Sequence, residues 1–222
     1  MNEVTVYHYT PRENVPTILK NGLLNQSKFN AMSSRLRVNA SYHLLSPSHD
    51  VMGYAGDEGY ACLQVTADPA HCVVADMDLI SAAYVNYIQE QANESVYDYR
   101  KLVALYDASA VALTDYENGM FRAPEVILRR HVPPDKITLA APADRSDAYA
   151  GNRGAYNAAV WSKLSSCAPP GTFRTMTALI EALTQSGLII KLAENEDATG
   201  PIRTYALKGR DGFFTVEDTY AY

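Results

Sequence analysis

A chain of 222 residues, 47% of them hydrophobic, can bury a sizeable core, and its length fits one domain with an elaboration. The formal charge of −6 is spread over both halves with no basic tail, which argues against a protein that grips nucleic acid mainly through phosphate contacts. No stretch is apolar for long enough to cross a bilayer, and no basic N-terminal stretch precedes an apolar run. No membrane partner is therefore expected, and the expected compartment is the cytoplasm, or a target cell's cytoplasm after delivery.

The three cysteines, Cys62, Cys72 and Cys167, are odd in number and unevenly spaced, which argues against a disulfide framework and for a reducing compartment. None forms a CxxC pair, so no metal site is expected. Sixteen tyrosines against five phenylalanines suit half-buried strands and stacking surfaces.

In chain order, residues 4–7 alternate as a half-buried strand does. Pro11 and Asn14 mark a turn into a helix whose apolar face is Val15, Ile18 and Leu19, with Gly22 at its C′ position. Residues 25–40 read as polar loop, with Arg35 and Arg37 near its end. Residues 41–45 read as a second strand running into a short helix through Tyr54, capped by Ser48 or Asp50. A third strand is expected at 60–65 and a short one at 72–75. Helices follow at about 78–88 and 94–106, where Val96, Leu102, Val103 and Tyr106 recur at helical spacing. Residues 107–119 are ambiguous, 124–129 form the clearest later strand, and 137–139 follow Pro133-Pro134.

Beyond Leu139 the composition turns small, polar and glycine-bearing, which suits a linker or loop over 141–154. Residues 156–164 read as helical and hold the only tryptophan, Trp161. Residues 167–171 are a second break. Thr172 then caps a helix with Met176, Leu179, Ile180 and Leu183 on one face, stopped by Gly187. Residues 188–192, 202–207 and 213–216 read as three strands around polar turns. The expected division is therefore 1–140, a linker segment 141–170, and a small helix-plus-antiparallel-sheet module over 171–222.

Two polar residues stand out against this frame. His8 closes a strand just before a helix, where it is either a core histidine or a ligand contact. Glu125 opens a strongly apolar strand, so it either stays at an exposed strand start or is aimed into a cleft to orient or deprotonate a hydroxyl. Tyr42 and His43 alternate, so only one of them faces a given pocket. Arg35 and Arg37 suit a diphosphate, or are simply solvated. A serine-hydrolase elbow, a Walker loop, GxGxxG and HExxH are all missing.

Taken in order, Tyr7-His8-Tyr9-Thr10 with Asn14-Val15, Ile18-Leu19 and Gly22-Leu23, then residues 42–48 with Tyr54, then Pro124-Glu125-Val126-Ile127-Leu128 with Pro133-Pro134 resemble the ADP-ribosyltransferase superfamily. The nearest pattern is that of the DarT toxins, which modify bases of DNA. The similarity covers roughly residues 4–139. It implies an α+β fold, a split, twisted β-sandwich clasping NAD, with flanking helices and the C-terminal extension. By this resemblance His8 would bond ribose hydroxyls, Thr10 and the backbone near Tyr9 would hold the nicotinamide end, and Asn14 would support the site. Tyr42, Ser46 and Tyr54 would complete the NAD-binding wall. Arg35 or Arg37 would stand near the phosphates or act at the transition state, and Glu125 would hold the nicotinamide ribose and help activate the acceptor.

Breaking the nicotinamide–ribose bond develops positive charge on the ribose, which a nearby carboxylate stabilises without a metal. The resemblance thus implies a mono-ADP-ribosyltransferase using NAD as substrate and a macromolecular acceptor, DNA or RNA ahead of protein. The role would be that of a toxin, defence factor or effector, with a possible antitoxin partner. A protein-targeting enzyme, an NAD glycohydrolase and a catalytically inactive nucleotide- or partner-binding module are the alternatives.

Overall fold

The computed structural model describes residues 3–23, 32–94, 97–141, 147–168, 171, 173–209 and 212–217. In chain order the elements are β1 (Val4–Pro11), α1 (Val15–Asn21), β2 (Ser41–His43), β3 (Tyr60–Ala67), β4 (Cys72–Asp76), α2 (Met77–Gln91) and α3 (Tyr99–Ser109). There follow β5 (Val111–Ala112), β6 (Pro124–Leu128), β7 (Ile137–Leu139), α4 (Asp147–Ser165), α5 (Met176–Gln185), β8 (Ile189–Asp197), β9 (Gly200–Leu207) and β10 (Phe213–Glu217). The described chain is thus α+β, with three antiparallel sheets of order β1-β3-β7, β2-β6-β4-β5 and β10-β9-β8.

The first two sheets share one hydrophobic core, to which β1 and β3 send Val6, Leu63 and Val65, and β4 and β6 send Val74, Val126 and Leu128. They also meet edge to edge at one bridge, where Tyr7 N donates to Leu44 O at 2.9 Å and Leu44 N to Tyr7 O at 2.7 Å. Successive strand residues point to opposite faces, so Glu125 and Ile127 of β6 face away from that shared core. Ile127 packs instead under α2 and α3, with Ala75, Leu79, Ala82, Ala83, Leu102 and Tyr106. The small side chains of Ala75, Ala82 and Ala83 let α2 lie close on the sheet. Leu192 and Ala193 of β8 join the same core, and Asn86 Nδ2 of α2 donates to Leu192 O at 3.0 Å. A third core lies between α4, α5 and the last sheet, built on Tyr156, Val160, Leu164, Leu179, Leu183 and Phe214.

Several local expectations change. Of the expected apolar face of α1, Ile18 is buried and Leu19 is exposed. Gly22 ends the helix at φ +83°, where its backbone passes close against Val132 O, and the Leu23–Val132 bridge follows. The short helix through Tyr54 is instead two 3-10 turns, Pro47–His49 and Tyr54–Gly56, because Gly53 turns the chain left-handed at φ +81°. Ser46, rather than Ser48 or Asp50, caps the first. Helix α3 starts at Tyr99, capped by Asp98, rather than near residue 94.

The expected loop over 141–154 gives way to α4 from Asp147 onward. The favourable helix propensity of Ala150, Ala155, Ala158 and Ala159 outweighs Gly151 and Gly154. Tyr156, Val160 and Leu164, four residues apart, supply the buried stripe. Thr175 caps α5, its side chain accepting from Ala178 N, and Thr172 lies outside the described residues.

A buried charge cluster ties β6 to the C-terminal sheet. Arg122, 1% exposed, gives Nε to Asp78 Oδ2 at 2.8 Å and Nη2 to Asp78 Oδ1 at 2.5 Å. It also gives Nη2 to Asp197 Oδ2 at 2.7 Å and Nη1 to Glu217 Oε1 at 3.3 Å. Arg153 of α4 pairs with Glu217 as well, so two guanidinium groups face three carboxylates. Asp76 borders this cluster and caps α2, its Oδ1 accepting from Asp78 N at 3.1 Å. Burial, then the neighbouring Asp78 carboxylate, push the Asp76 pKa up to about 8.

Two predictions follow from this cluster. Arg122→Met leaves buried carboxylates without their main countercharge and is expected to cost about 3–5 kcal/mol in urea denaturation; a loss near zero would show the cluster to be dispensable. Asp76 binds its proton more tightly folded than unfolded, so its stabilising effect is complete below about pH 4 and is lost as pH rises toward 8. Asp76→Asn keeps a good cap without titrating. Its stability is expected to fall less than that of the wild type between about pH 5 and 8.

Candidate functional site

Glu125 is 5% exposed, and its carboxylate is held from two elements. Arg37 Nη2 reaches Oε1 and Oε2, each at 2.6 Å, and the Tyr106 hydroxyl of α3 donates to Oε2 at 2.6 Å. Arg37 Nε adds a bond to the Tyr106 oxygen at 3.3 Å, and its guanidinium lies 4.3 Å from the centre of the Tyr42 ring. The Tyr42 hydroxyl donates in turn to Arg37 O at 3.1 Å. Burial opposes the Arg37 charge, but Glu125, with Tyr106 and Tyr42, more than offsets it, so the pKa is raised. Burial and then the Glu125 charge push the Tyr106 phenol far up, which keeps it a donor.

The sequence leaves open which arginine serves a site at Glu125. The structure pairs Glu125 with Arg37, whereas the Arg35 side chain is 86% exposed and lies 3.5 Å from Asp107. Asp107, next to Tyr106 on α3, pins the segment that carries both arginines. Its Oδ1 accepts from Ser34 Oγ at 2.6 Å and Leu36 N at 3.3 Å, and its Oδ2 from Arg35 N at 2.9 Å. The last turn and a half of α3 therefore sets the carboxylate through Tyr106 and its guanidinium partner through Asp107.

His8 is half-buried on β1, and its Nδ1 donates to Tyr42 O at 2.8 Å. That bond places the proton on Nδ1 and leaves Nε2 an acceptor. Its ring centre lies 5.3 Å from that of His43. Burial lowers the His8 pKa against the partial opposition of the Tyr42 carbonyl. Burial and then His8 lower that of His43 well below the usual range, so both rings are neutral. Tyr42 and His43 do face opposite ways: His43 lies beside His8, while the Tyr42 ring lies under Arg37. Tyr42 thereby touches both clusters, with its carbonyl on His8 and its ring and hydroxyl on Arg37.

The other expected binding residues divide further. Thr10 is buried on β1, and Asn14 is exposed and makes no side-chain cap bond at the start of α1. Ser46 Oγ lies 2.9 Å from Ser48 Oγ and caps the 3-10 turn. Tyr9 pairs in register with Cys62, one residue out of phase with His8, and so faces the opposite side of the first sheet. There its hydroxyl donates to Pro47 O at 3.3 Å, and its ring lies 6.1 Å from that of Tyr54, which stacks on Tyr60 at 4.5 Å. These tyrosines line a pocket of about 310 Å³ with Arg12, Cys62 and Leu139.

No protein-family model, curated protein or solved structure matches the chain. Tyr106, Asp107, Tyr60 and Asp50 are absent from the sequence-derived site. Tyr106 is legible there only as an apolar position of α3, and Asp107 only as the polar residue following it. Asp50 reads as a helix cap; in the structure its Oδ2 accepts from Ala55 N at 2.6 Å.

Among the described residues no group of three or more His, Cys, Asp or Glu side chains could hold a metal ion, and no helix is long and apolar enough to cross a membrane. Tyr106→Phe removes a hydrogen bond to a buried carboxylate and is expected to destabilise the protein by about 1.5–3 kcal/mol. Equal denaturation midpoints for variant and wild type would show that Arg37 alone holds Glu125.

Proposed function

We propose that the chain is a mono-ADP-ribosyltransferase that transfers ADP-ribose from NAD to a macromolecular acceptor, a nucleic-acid base ahead of protein. The observation that carries this reading is the buried Glu125 carboxylate, held by Arg37 and Tyr106, with Tyr42 linking that pair to His8. Two sheets that share a core and meet at the Tyr7–Leu44 bridge are also compatible with a split β-sandwich.

The donor set suits the dinucleotide. Neutral His8 offers Nε2 to a ribose hydroxyl, and Arg37 is a fixed cation for the diphosphate. A diphosphate competes with Glu125 for that guanidinium, so dinucleotide binding frees the carboxylate for the nicotinamide ribose. The bond that breaks joins the nicotinamide nitrogen to ribose C1′, and its electron pair leaves with nicotinamide. Glu125 offsets the positive charge that develops on the ribose. The acceptor atom then bonds C1′ and passes its proton to Glu125.

The test is nicotinamide release from labelled NAD in the presence of DNA, RNA and protein pools. Wild type is expected to release nicotinamide and to label a macromolecular pool. Glu125→Gln is expected to lower the rate by about 10²–10³ while the thermal midpoint shows a folded protein. Nicotinamide release with no pool labelled identifies water as the acceptor, and no release at all from the wild type overturns the enzyme reading.

A further inference from the structure

The chain beyond β7 grips two segments of the earlier part, the entry to β6 and the stretch before Tyr54, and it does so from two separate elements. Helix α4 is the first. Its Asn152 is fully buried and uses both acceptor and both donor positions of its amide. Oδ1 accepts from the Tyr116 hydroxyl at 3.0 Å and Gly119 N at 2.9 Å, and Nδ2 donates to Phe121 O at 3.0 Å and Arg122 O at 3.1 Å. Those four bonds shape the loop that delivers β6, and Glu125 with it. The same helix lies against the 3-10 turn Pro47–His49.

The hairpin turn between β8 and β9 is the second. Asp197 pairs with Gly200 across it, which leaves Ala198 and Thr199 at the tip. Asp197 Oδ1 accepts from Thr199 N at 2.7 Å and from Thr199 Oγ1 at 2.5 Å, so the carboxylate fixes the turn from within. Its other oxygen, Oδ2, accepts from Arg122 Nη2 at 2.7 Å, three residues before Glu125. The next residue, Ala198, donates its N–H to Val51 O at 2.7 Å, three residues before Tyr54. Tyr54 lines the 310 Å³ pocket and stacks on Tyr60. Both grips of the turn are hydrogen bonds, which fix direction as well as distance, whereas apolar contact is non-directional.

We propose that the β8–β9 turn is a positioning element of the site, in which Asp197 sets the Glu125 strand through Arg122 and Ala198 sets the Tyr54 segment through Val51. Helix α4 backs both segments from its own side. The kinetic consequences rest on the transferase reading; the mechanical coupling does not. The two roles are separable, because one bond comes from a side chain and the other from a main-chain N–H. Glu125 acts on charge that develops in the transition state, so slack in its strand lowers kcat. Tyr54 belongs by resemblance to the NAD-binding wall, so slack in its segment raises KM.

The experiment compares two variants of the full chain, Asp197→Asn and Ala198→Pro, by hydrogen exchange and by steady-state nicotinamide release. Asp197→Asn keeps an acceptor for Thr199 and turns an amide toward Arg122 in place of the carboxylate. Ala198 occupies the first tip position of the turn without a positive φ, where proline is readily accommodated. Ala198→Pro therefore deletes the N–H and leaves Asp197 on Arg122. Exchange is expected to rise at least about fivefold at residues 51–56 in Ala198→Pro and at 117–123 in Asp197→Asn, with 60–67 on β3 unchanged. Asp197→Asn is expected to lower kcat about tenfold with KM for NAD within about twofold of wild type, and Ala198→Pro to raise that KM at least about fivefold with kcat held.

A turn that only stabilised the fold would raise exchange in β3 as much as elsewhere, and would lower kcat in both variants with KM unmoved. Either result overturns the proposal, as does unchanged exchange at 51–56 and 117–123 in folded variants. Should Asp197→Asn not fold, Ala198→Pro decides alone. No nicotinamide release from the wild type sinks the transferase reading, and exchange then decides the role of the turn. Release by the wild type with no split between the variants sinks the positioning role and leaves that reading standing.

Discussion

Arg122 is the interaction on which the rest of the arrangement depends. A guanidinium with almost no exposure needs carboxylates from several directions, and it draws them from α2, from the end of β8 and from the end of β10. Those elements are distant in sequence, so the requirement that a buried charge be neutralised brings the last sheet against the first part of the chain. Arg122 lies three residues before Glu125. Met77 N donates to Ala123 O at 3.0 Å, and Asn152 Nδ2 donates to Phe121 O at 3.0 Å and Arg122 O at 3.1 Å, so the entry to β6 is held from both sides. The last sheet therefore has a positional role, because Asp197 and Glu217 hold the Arg122 side chain three residues before Glu125 while α2 and α4 hold the backbone there.

The two arginine–carboxylate clusters differ in a way that bears on function. Around Arg122 three acids share a cation sealed from water. At Glu125 one acid meets one arginine, and the arginine sits on a short loop segment beside an aromatic platform. It keeps some contact with solvent, while Asp107 holds the backbone at Arg35 and Leu36 and the Tyr42 hydroxyl holds Arg37 O. Arg37 can therefore exchange partners by moving its side chain while its backbone stays where it is. The first cluster joins three distant elements, and the second is a single ion pair whose arginine keeps 15% of its side chain exposed.

The legible parts of the fold were those governed by local pattern. Alternation marked β1, a short apolar run marked β6, helical spacing marked α2, α3 and α5, and polar turns separated the last three strands. The same alternation separated Tyr42 from His43, and the structure sends those side chains to opposite faces. The rule had a further consequence at His8 and Tyr9: adjacent in sequence, they serve different sides of a sheet, so a binding motif read as one run became two places. Only the first half of α4 was hidden, because the glycines and small polar residues up to Gly154 read as loop, whereas 156–164 read as helical. Tyr106, Asp107 and Arg122 were hidden for a different reason, since their roles depend on which strand lies beneath which helix. No spacing within their own segments carries that information.

Tyr42 shows where the two halves of the site can be uncoupled. Its contact with His8 is made by the main-chain carbonyl, which every amino acid supplies, whereas its support of Arg37 is made by the ring and hydroxyl. Selection at this codon therefore acts on only one of the two connections. A replacement that keeps the strand would leave the imidazole tautomer intact and strip the guanidinium of its platform. Position 42 is thus a natural point of divergence, at which a descendant could retain the His8 bond while losing the support of Arg37 and Glu125.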